Sequence, residues 1–216
     1  MKIGVFGTGT VGETIAGKLV ALGHEVCMGS RSATNEKAAA WVKKAGGKAS
    51  AGTFADAARY GEVLFNCTKG GASLEALRLA GAEALGQKVL IDVANPLDGS
   101  KGFPPSLSVC NTDSLGESIQ REFPKLKVVK SLNTINCKVM VEPARIPGEH
   151  AVFMCGNDAG AKEQVGKILR EWFGWKQVLD LGDITNARGT EMYLPLWVRL
   201  YGVMKTADFN VHVVKG

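Results

Sequence analysis

This chain of 216 residues has few histidines, and its cysteines form no closely spaced pair. Both features argue against metal binding and nucleophilic catalysis. No C-x-x-C pair, zinc-type Cys/His cluster, G-x-S-x-G turn or H-E-x-x-H motif occurs. The sequence therefore predicts neither a metal site nor a catalytic nucleophile. We interpret the three histidines as solvated turn or tail residues: His24, His150 and His212.

Long apolar runs and clusters of basic residues are also absent. No stretch approaches the ~20 apolar residues of a membrane-spanning helix, and Met1 and Lys2 lead into a strand instead of a signal peptide. The net charge of +5 is spread along the chain, which argues against a nucleic-acid surface but suits an anionic cofactor. Five scattered cysteines are typical of buried fillers in a protein of the reducing cytoplasm. These observations predict a cytoplasmic protein without a membrane or nucleic-acid partner.

What is present is a regular alternation of short apolar runs with helical patterns. Strands are predicted at residues 2–6, 25–28, 48–50, 63–67, 88–93, 127–132, 151–155 and 177–181. Helices are predicted at residues 11–22, 38–44, 53–59, 73–85, 113–123 and 159–173. This alternation predicts an α/β fold, a Rossmann-type doubly wound, mostly parallel sheet with extra strands and a short C-terminal helical tail. The predicted domains are an NAD(P)-binding Rossmann domain, 1–182, and the helical tail, 183–216.

Two segments interrupt the alternation. Residues 95–109 hold three prolines and two glycines, which predicts a long loop, and long loops at strand ends are often functional. In the tail, Pro195 should start or kink a helix with an apolar stripe on one face. The stripe consists of Tyr193, Trp197, Leu200, Tyr201 and Met204. It either covers the chain's own sheet or contacts a second copy in a homodimer.

A glycine-rich loop joins the first predicted strand to the first helix. It has the G-x-G-x-x-G form: Gly7-Thr8-Gly9-Thr10-Val11-Gly12. Its first glycine would make the tight turn, the second would let a pyrophosphate approach the backbone, and the third would let the helix pack closely on the strand. The helix N-terminus then offers free N–H groups and a positive dipole end to the phosphates. This pattern predicts a dinucleotide site.

The end of the second strand distinguishes NADP from NAD. NAD sites usually carry an acidic residue there, but this strand runs into Gly29, Ser30, Arg31 and Ser32. Arg31 can pair with a 2′-phosphate, and Ser30 and Ser32 can donate hydroxyl groups to it. The alternative is that Arg31 only caps a surface turn. We predict NADP as the cofactor.

A general acid or base for substrate chemistry is not evident, and too few residues follow the last strand to form a substrate domain. An acceptor that is itself a redox cofactor needs only to stack against the nicotinamide. Thr68 and Lys69 follow the fourth strand, on the side where a Rossmann site holds the nicotinamide. Lys69 either contacts a bound anion or is a solvated loop residue. No catalytic residue is assigned, because hydride transfer would depend on positioning.

Six motifs together resemble a known family. They are the glycine loop, Gly29-Ser30-Arg31, Asp92-Val93-Ala94-Asn95-Pro96, Val128-Val129-Lys130-Ser131-Leu132-Asn133-Thr134, Cys155-Gly156-Asn157-Asp158 and Glu191-Met192-Tyr193-Leu194-Pro195-Leu196. Across nearly the whole chain the sequence resembles the NADPH-dependent reductases of the deazaflavin coenzyme F420, called NADP oxidoreductase, coenzyme F420-dependent. It is equally similar to the cytosolic reductase domain of six-transmembrane ferric and cupric metalloreductases.

The resemblance implies roles for two later loops. Asn95-Pro96 and Asn133-Thr134 would border the nicotinamide and the second cofactor, unless the two asparagines only bond their own backbone. It also implies that the family is often homodimeric. F420 reductases commonly carry His at the position of Asn133, where this chain is more similar to the metalloreductases.

Three functions follow from these patterns. The first is hydride transfer between NADPH and a flavin-like acceptor, namely coenzyme F420, FMN or FAD. The second is a soluble NADPH-dependent reductase of flavins or ferric chelates. The third is a non-catalytic NADPH-binding sensor or regulatory subunit, with the stripe around Trp197 and Tyr201 as its partner surface.

Overall fold

The computed structural model describes all 216 residues, and an eight-stranded sheet lies at its centre. The strands are β1 (Lys2–Phe6), β2 (Glu25–Ser30), β3 (Ala49–Thr53), β4 (Val63–Asn66), β5 (Val89–Asp92), β6 (Leu97–Asp98), β7 (Ser106–Leu107), β8 (Lys127–Ser131), β9 (Ala151–Gly156) and β10 (Gln177–Asp180). The order in the sheet is β10-β9-β8-β5-β4-β1-β2-β3, while β6 and β7 form a separate two-stranded hairpin. Six neighbouring strands are parallel, in the order β8-β5-β4-β1-β2-β3. Strand β9 is antiparallel to β8, and β10 is parallel to β9. The doubly wound Rossmann architecture with extra strands is thereby confirmed.

Helices cover both faces of this sheet. They are α1 (Thr10–Ala21), α2 (Glu36–Ala45), α3 (Phe54–Tyr60), α4 (Gly70–Ala80), α5 (Ala82–Leu85), α6 (Leu115–Glu122), α7 (Cys137–Val141), α8 (Ala159–Lys167), α9 (Ala187–Met192) and α10 (Leu194–Met204). Short 3-10 turns span Pro143–Arg145 and Ile184–Asn186, and a π-helical turn spans Ile168–Trp172. No helix is both long enough and apolar enough to cross a membrane.

Local sequence explains most helix boundaries. The Thr53 side chain accepts the N–H of Asp56, whose carboxylate in turn accepts the N–H of Thr53, and this capping box starts α3 as predicted. The single helix predicted at 73–85 is wrong, because Gly81 adopts a φ of +87° and separates α4 from α5. The helix predicted at 159–173 continues past α8 only as the π-helical turn.

Three short elements were not predicted. The hairpin of β6 and β7 lies inside the segment expected to be an irregular loop, with Leu97 opposite Leu107. Helix α7 follows β8 after a short turn, and Asn136 caps it by accepting the N–H of Lys138. These elements are too short for a hydrophobic period to reveal them.

The sheet buries side chains on both faces, as expected for parallel strands between helices. Along β4, Val63 and Phe65 pack into an apolar cluster on one face, while Leu64 packs into a second cluster on the other. Three cysteines are buried fillers as predicted, but Cys110 is exposed. The strands are thus buried on both faces, and the loops that could form a site follow their carboxyl ends.

The C-terminal tail packs on the rest of the chain, and the stripe that periodicity suggested is only partly buried. Leu194 and Val198 are the buried residues of α10, whereas Tyr201 and Met204 of the predicted stripe are 45% and 49% exposed. Trp197 stacks on Tyr201 and on Phe209, with ring centroids 5.8 and 5.2 Å apart. Phe209 therefore covers Trp197, while the two buried residues of α10 lie beside the predicted stripe.

Candidate functional site

The carboxyl ends of the parallel strands meet at one edge of the sheet, and five loops converge there. A Cβ on Gly7 would lie 2.7 Å from the carbonyl oxygen of Cys67, so the loops after β1 and β4 are in direct contact. A Cβ on Gly70 would lie 2.1 Å from the carbonyl oxygen of Asn95, which joins the loops after β4 and β5 in the same way. Because these two residues are glycines, the backbones of neighbouring loops can lie in contact along the edge of the sheet.

The glycine loop leaves the N-terminus of α1 open. Gly7 has a φ of +112°, and a Cβ on Gly12 would lie 2.2 Å from the carbonyl oxygen of Gly7, so both glycines are required by the protein's own packing. A Cβ on Gly9 would meet no atom within 4 Å. Gly9 is the N-cap of α1, and no side chain caps the helix there. The free N–H groups of the first turn, beside exposed Thr10 and half-buried Thr8 and Val11, therefore face open space.

The Ser30-Arg31-Ser32 turn follows β2 beside this opening. The buried Ser30 hydroxyl donates to the carbonyl oxygen of Ser32 at 2.6 Å, and this bond stabilises the turn. Arg31 and Ser32 are exposed. The Arg31 guanidinium pairs with Glu75 of α4, with Nη2 and Oε2 3.2 Å apart. Sequence reasoning missed Glu75, which comes 44 residues after Arg31.

The loops after β5 and β8 are joined by their asparagines. Asn95 Nδ2 donates to the carbonyl oxygen of Asn133 at 2.8 Å, and Asn133 Nδ2 donates to Asn95 Oδ1 at 2.9 Å. The two side chains bond across the loops and not to their own backbone. Asn133 and Thr134 are buried, whereas Lys69 is exposed at the N-cap position of α4. Pro96 follows Asn95 directly and is buried.

Beneath these loops lies a buried group of charges that sequence reasoning missed. The Lys130 ammonium contacts Asp92 Oδ2 and Glu191 Oε1, each at 2.7 Å, and donates to the carbonyl oxygen of Ala94 at 2.6 Å. The two acidic side chains and the lysine are at most 1% exposed. Burial alone would lower the pKa of Lys130, but the two carboxylates outweigh burial and raise it. The ammonium is therefore held in its charged form.

Further hydrogen bonds extend this group toward the loops and the tail. Asp92 Oδ1 accepts Asn66 Nδ2 at 2.8 Å, and Asn66 Oδ1 accepts the Thr68 hydroxyl at 2.6 Å. Glu191 of α9 also accepts the backbone N–H groups of Leu115 and Gly116, at 2.8 and 3.0 Å. We call Asn66, Thr68, Asp92, Lys130 and Glu191 the buried network. Its signal in the sequence was a lysine inside the apolar run of β8, since a buried charge requires partners.

An apolar cavity of about 350 Å³ adjoins the loop after β8. Its lining residues come from that loop, β9, α9 and the tail: Thr134, Phe153, Leu181, Gly189, Thr190, Tyr193, Val211 and Val213. The Tyr193 hydroxyl is buried and has no hydrogen-bond partner, and burial raises its pKa. The cavity therefore offers mainly apolar surface and one buried phenol.

No histidine contacts the loops of this site. His24 and His150 are half-buried, whereas we predicted solvated residues. The ring of His24 packs at a tilt against Trp172, with centroids 4.1 Å apart, and burial lowers the pKa of His24. His150 packs edge-on against Trp175, and its Nε2 lies 3.1 Å from the carbonyl oxygen of Pro143. His212 is exposed. No group of three or more His, Cys, Asp or Glu side chains is arranged to hold a metal ion.

Comparison with known proteins agrees with this architecture. Residues 2–96 match the family model described as NADP oxidoreductase coenzyme F420-dependent. A solved structure from Arthrobacter sp. FB24, provisionally named an F420-dependent NADP-reductase, is 50% identical with a TM-score of 0.94, and each chain covers 100% of the other. The metalloreductase STEAP3 of Rattus norvegicus is 30% identical over 203 residues, which are 91% of this chain but 38% of that protein. The chain thus spans well under half of the metalloreductase.

A more distant structure shares the fold alone. The reductive aminase of Aspergillus terreus, solved with NADPH and ethyl levulinate, is 17% identical with a TM-score of 0.66, and the match covers 94% of this chain and 62% of that one. The full-length match to the Arthrobacter protein carries more weight, because it includes the loops after β5 and β8 as well as the glycine loop. The chain belongs to the NADP oxidoreductase, coenzyme F420-dependent, family of oxidoreductases.

Proposed function

We propose that the protein transfers a hydride between NADPH and a flavin-like acceptor, which is coenzyme F420, FMN or FAD. The observation that carries the proposal is the uncapped N-terminus of α1 at Gly9, which faces open space. The turn after β2 adds an exposed Arg31 and has no acidic residue. Backbone N–H groups suit a pyrophosphate, and an exposed guanidinium suits a 2′-phosphate. Glu75, which pairs with Arg31, would yield to the phosphate when NADPH binds.

The dinucleotide would run along the edge from the glycine loop to the loops after β4, β5 and β8. Gly7 to Gly12 would hold the pyrophosphate, and Ser30, Arg31 and Ser32 would hold the 2′-phosphate. The bond from Ser30 to the carbonyl oxygen of Ser32 keeps the shape of this turn before the cofactor binds. The nicotinamide would lie among these loop residues: Thr68, Lys69, Asn95, Pro96, Asn133 and Thr134. Bound NADPH would supply the hydride, so the protein's task is orientation and exclusion of water.

The acceptor ring is proposed to enter the cavity beside Thr134. A volume of about 350 Å³ is at the lower end of small-molecule pockets and suits a planar ring system better than a whole flavin nucleotide. Apolar walls favour stacking of a planar ring. No protein acid or base is required for hydride transfer to such a ring.

A panel of acceptors tests the proposal. Purified protein is mixed with NADPH and with F420, FMN, FAD or a ferric chelate, and the loss of NADPH absorbance is followed. Turnover with F420 or a flavin supports the proposal, and turnover with flavin plus ferric chelate supports the second function, a flavin or ferric-chelate reductase. Asn133 in place of the histidine common in F420 reductases, together with the 30% identity to a metalloreductase, favours that second function. NADPH binding without any turnover would instead support a sensor.

We also propose a homodimer formed through the tail, in the cytoplasm. Leu196, Tyr201 and Met204 of α10 are between 45% and 55% exposed and share one helix, and Val203 beside them is 81% exposed. A second copy would cover this apolar surface, whereas a monomer would leave it in water. Analytical ultracentrifugation of the wild-type chain and of the double variant Leu196→Glu, Met204→Glu distinguishes the two states.

A further inference from the structure

The buried network connects every loop that the proposed function assigns to the nicotinamide. Thr68, after β4, bonds Asn66, and Asn66 bonds Asp92 at the end of β5. Lys130 bonds both Asp92 and the carbonyl oxygen of Ala94, the residue before Asn95. Asn95 in turn bonds Asn133, three residues after Lys130. A displacement of Lys130 would therefore reach all three loops.

We propose that Lys130 is a positioning residue for the nicotinamide half of the site, and that Glu191 makes the C-terminal tail part of the same support. The inference rests on the proposed function, because it assumes a dinucleotide whose nicotinamide lies between Asn95 and Asn133. Lys130 touches neither loop tip itself. It acts through the carbonyl of Ala94 and through Asp92.

The geometry explains why a lysine is used. An ammonium has three N–H donors, and Lys130 has three acceptors within 2.7 Å, one each from Asp92, Glu191 and Ala94. Three donors pointing apart fix three elements at once: the end of β5, the loop that follows it, and α9. An apolar residue of similar length would fill the space but would leave two buried carboxylates without their cation.

The contacts of Glu191 explain how the C-terminal tail helps to position the nicotinamide half of the site. Its two carboxylate oxygens accept N–H groups at the N-terminus of α6 and also hold the Lys130 ammonium. These partners lie 76, 75 and 61 residues earlier in the chain, so α9 is fixed against the sheet by charge as well as by apolar packing. The same helix contributes Gly189 and Thr190 to the cavity beside Thr134.

Two ligands that differ only in the nicotinamide half provide the test. Isothermal titration calorimetry measures the affinities of NADP⁺ and of 2′,5′-ADP, which lacks the nicotinamide, for wild-type protein, Lys130→Met and Glu191→Gln. We expect both variants to keep the affinity for 2′,5′-ADP and to lose about tenfold in affinity for NADP⁺, or about 1.4 kcal/mol. Glu191→Gln keeps the shape of the side chain and serves if Lys130→Met does not fold. Lys127→Met, on the same strand but half exposed beside Asp158, is the matched control.

The possible outcomes separate the inference from the proposed function. If wild-type protein binds neither ligand, the proposed function fails. If wild-type protein binds both and the variants lose affinity for both equally, the network supports the fold in general and the inference is overturned. Unchanged affinities in folded variants overturn it as well. The fluorescence of bound NADPH gives a second readout, since a displaced nicotinamide should lose the spectral shift that wild-type protein induces.

Discussion

The loops after β1 and β2 share one edge of the sheet with the loops after β4, β5 and β8, yet the two groups are stabilised by different interactions. The first group depends on close backbone contacts at Gly7 and Gly12 and on an exposed ion pair between Arg31 and Glu75. The second group depends on the buried network, whose members lie as far apart in sequence as Asn66 and Glu191. Phosphates need exposed donors, whereas a nicotinamide ring needs rigid surroundings.

The largest expected effect is a loss of stability when the buried network under the second group of loops is disrupted. Lys130→Met leaves Asp92 and Glu191 as uncompensated buried carboxylates, and losing one partner of a buried ion pair costs roughly 3–5 kcal/mol. We expect a fall of that size in the free energy of unfolding, measured by urea denaturation. Lys127→Met, whose exposed pair with Asp158 is worth at most about 1 kcal/mol, is the control. A small, equal change in both variants would mean that the network adds little to stability.

The next largest effect is a loss of cofactor affinity in the first group of loops, with the fold unchanged. Arg31→Ala removes the guanidinium that we assign to the 2′-phosphate, and a lost hydrogen bond to a charged group costs roughly 1.5–3 kcal/mol. The affinity for NADPH should fall accordingly, while the affinity for NADH should stay the same. Fluorescence titration with both cofactors measures the difference. Equal losses for the two cofactors would contradict the assignment of the 2′-phosphate to Arg31.

A third pair of variants separates folding from binding inside the glycine loop. Gly12→Ala places a methyl group 2.2 Å from the carbonyl oxygen of Gly7, and such overpacking costs roughly 1–3 kcal/mol of stability. Gly9 has φ −86° and ψ 178°, which alanine tolerates, and open space around its Cβ. Gly9→Ala should therefore fold normally but lose about tenfold or more in affinity for NADP⁺, because its methyl group occupies the approach of the pyrophosphate.

Gly17→Ala is the control for both glycine variants. Gly17 lies inside α1, and an added Cβ meets no atom within 4 Å, so the change should stabilise the helix by up to about 1 kcal/mol without affecting binding. Thermal unfolding and calorimetry on the three variants give the two readouts. Normal NADP⁺ affinity in Gly9→Ala would place the pyrophosphate elsewhere.

The same contrast explains what the sequence could and could not predict. The glycine loop and Arg31 lie within the first 31 residues, and each residue has a local reason, so short sequence patterns were enough to predict the first group. Asp92 and Lys130 were visible as charged residues in apolar strands, but their shared partner Glu191 is brought to them only by the packing of α9. The contact between Trp197 and Phe209 was missed for the same reason, since Phe209 lies outside the helix. Long-range packing, and not local periodicity, decided these features.

The smallest expected effect concerns the pair that bridges α4 and the turn after β2. Glu75→Gln removes a carboxylate 3.2 Å from Arg31, and because both side chains are more than half exposed the pair is worth at most about 1 kcal/mol. If a 2′-phosphate must replace Glu75 on the guanidinium, NADPH affinity should rise by up to about fivefold, and the gain should shrink at high salt. Glu122→Gln, which breaks the exposed pair with Arg78 farther along α4, should leave NADPH affinity unchanged. A fall in affinity for Glu75→Gln would mean instead that Glu75 holds Arg31 in its binding position, which would make the surface pair part of the site rather than a competitor for it.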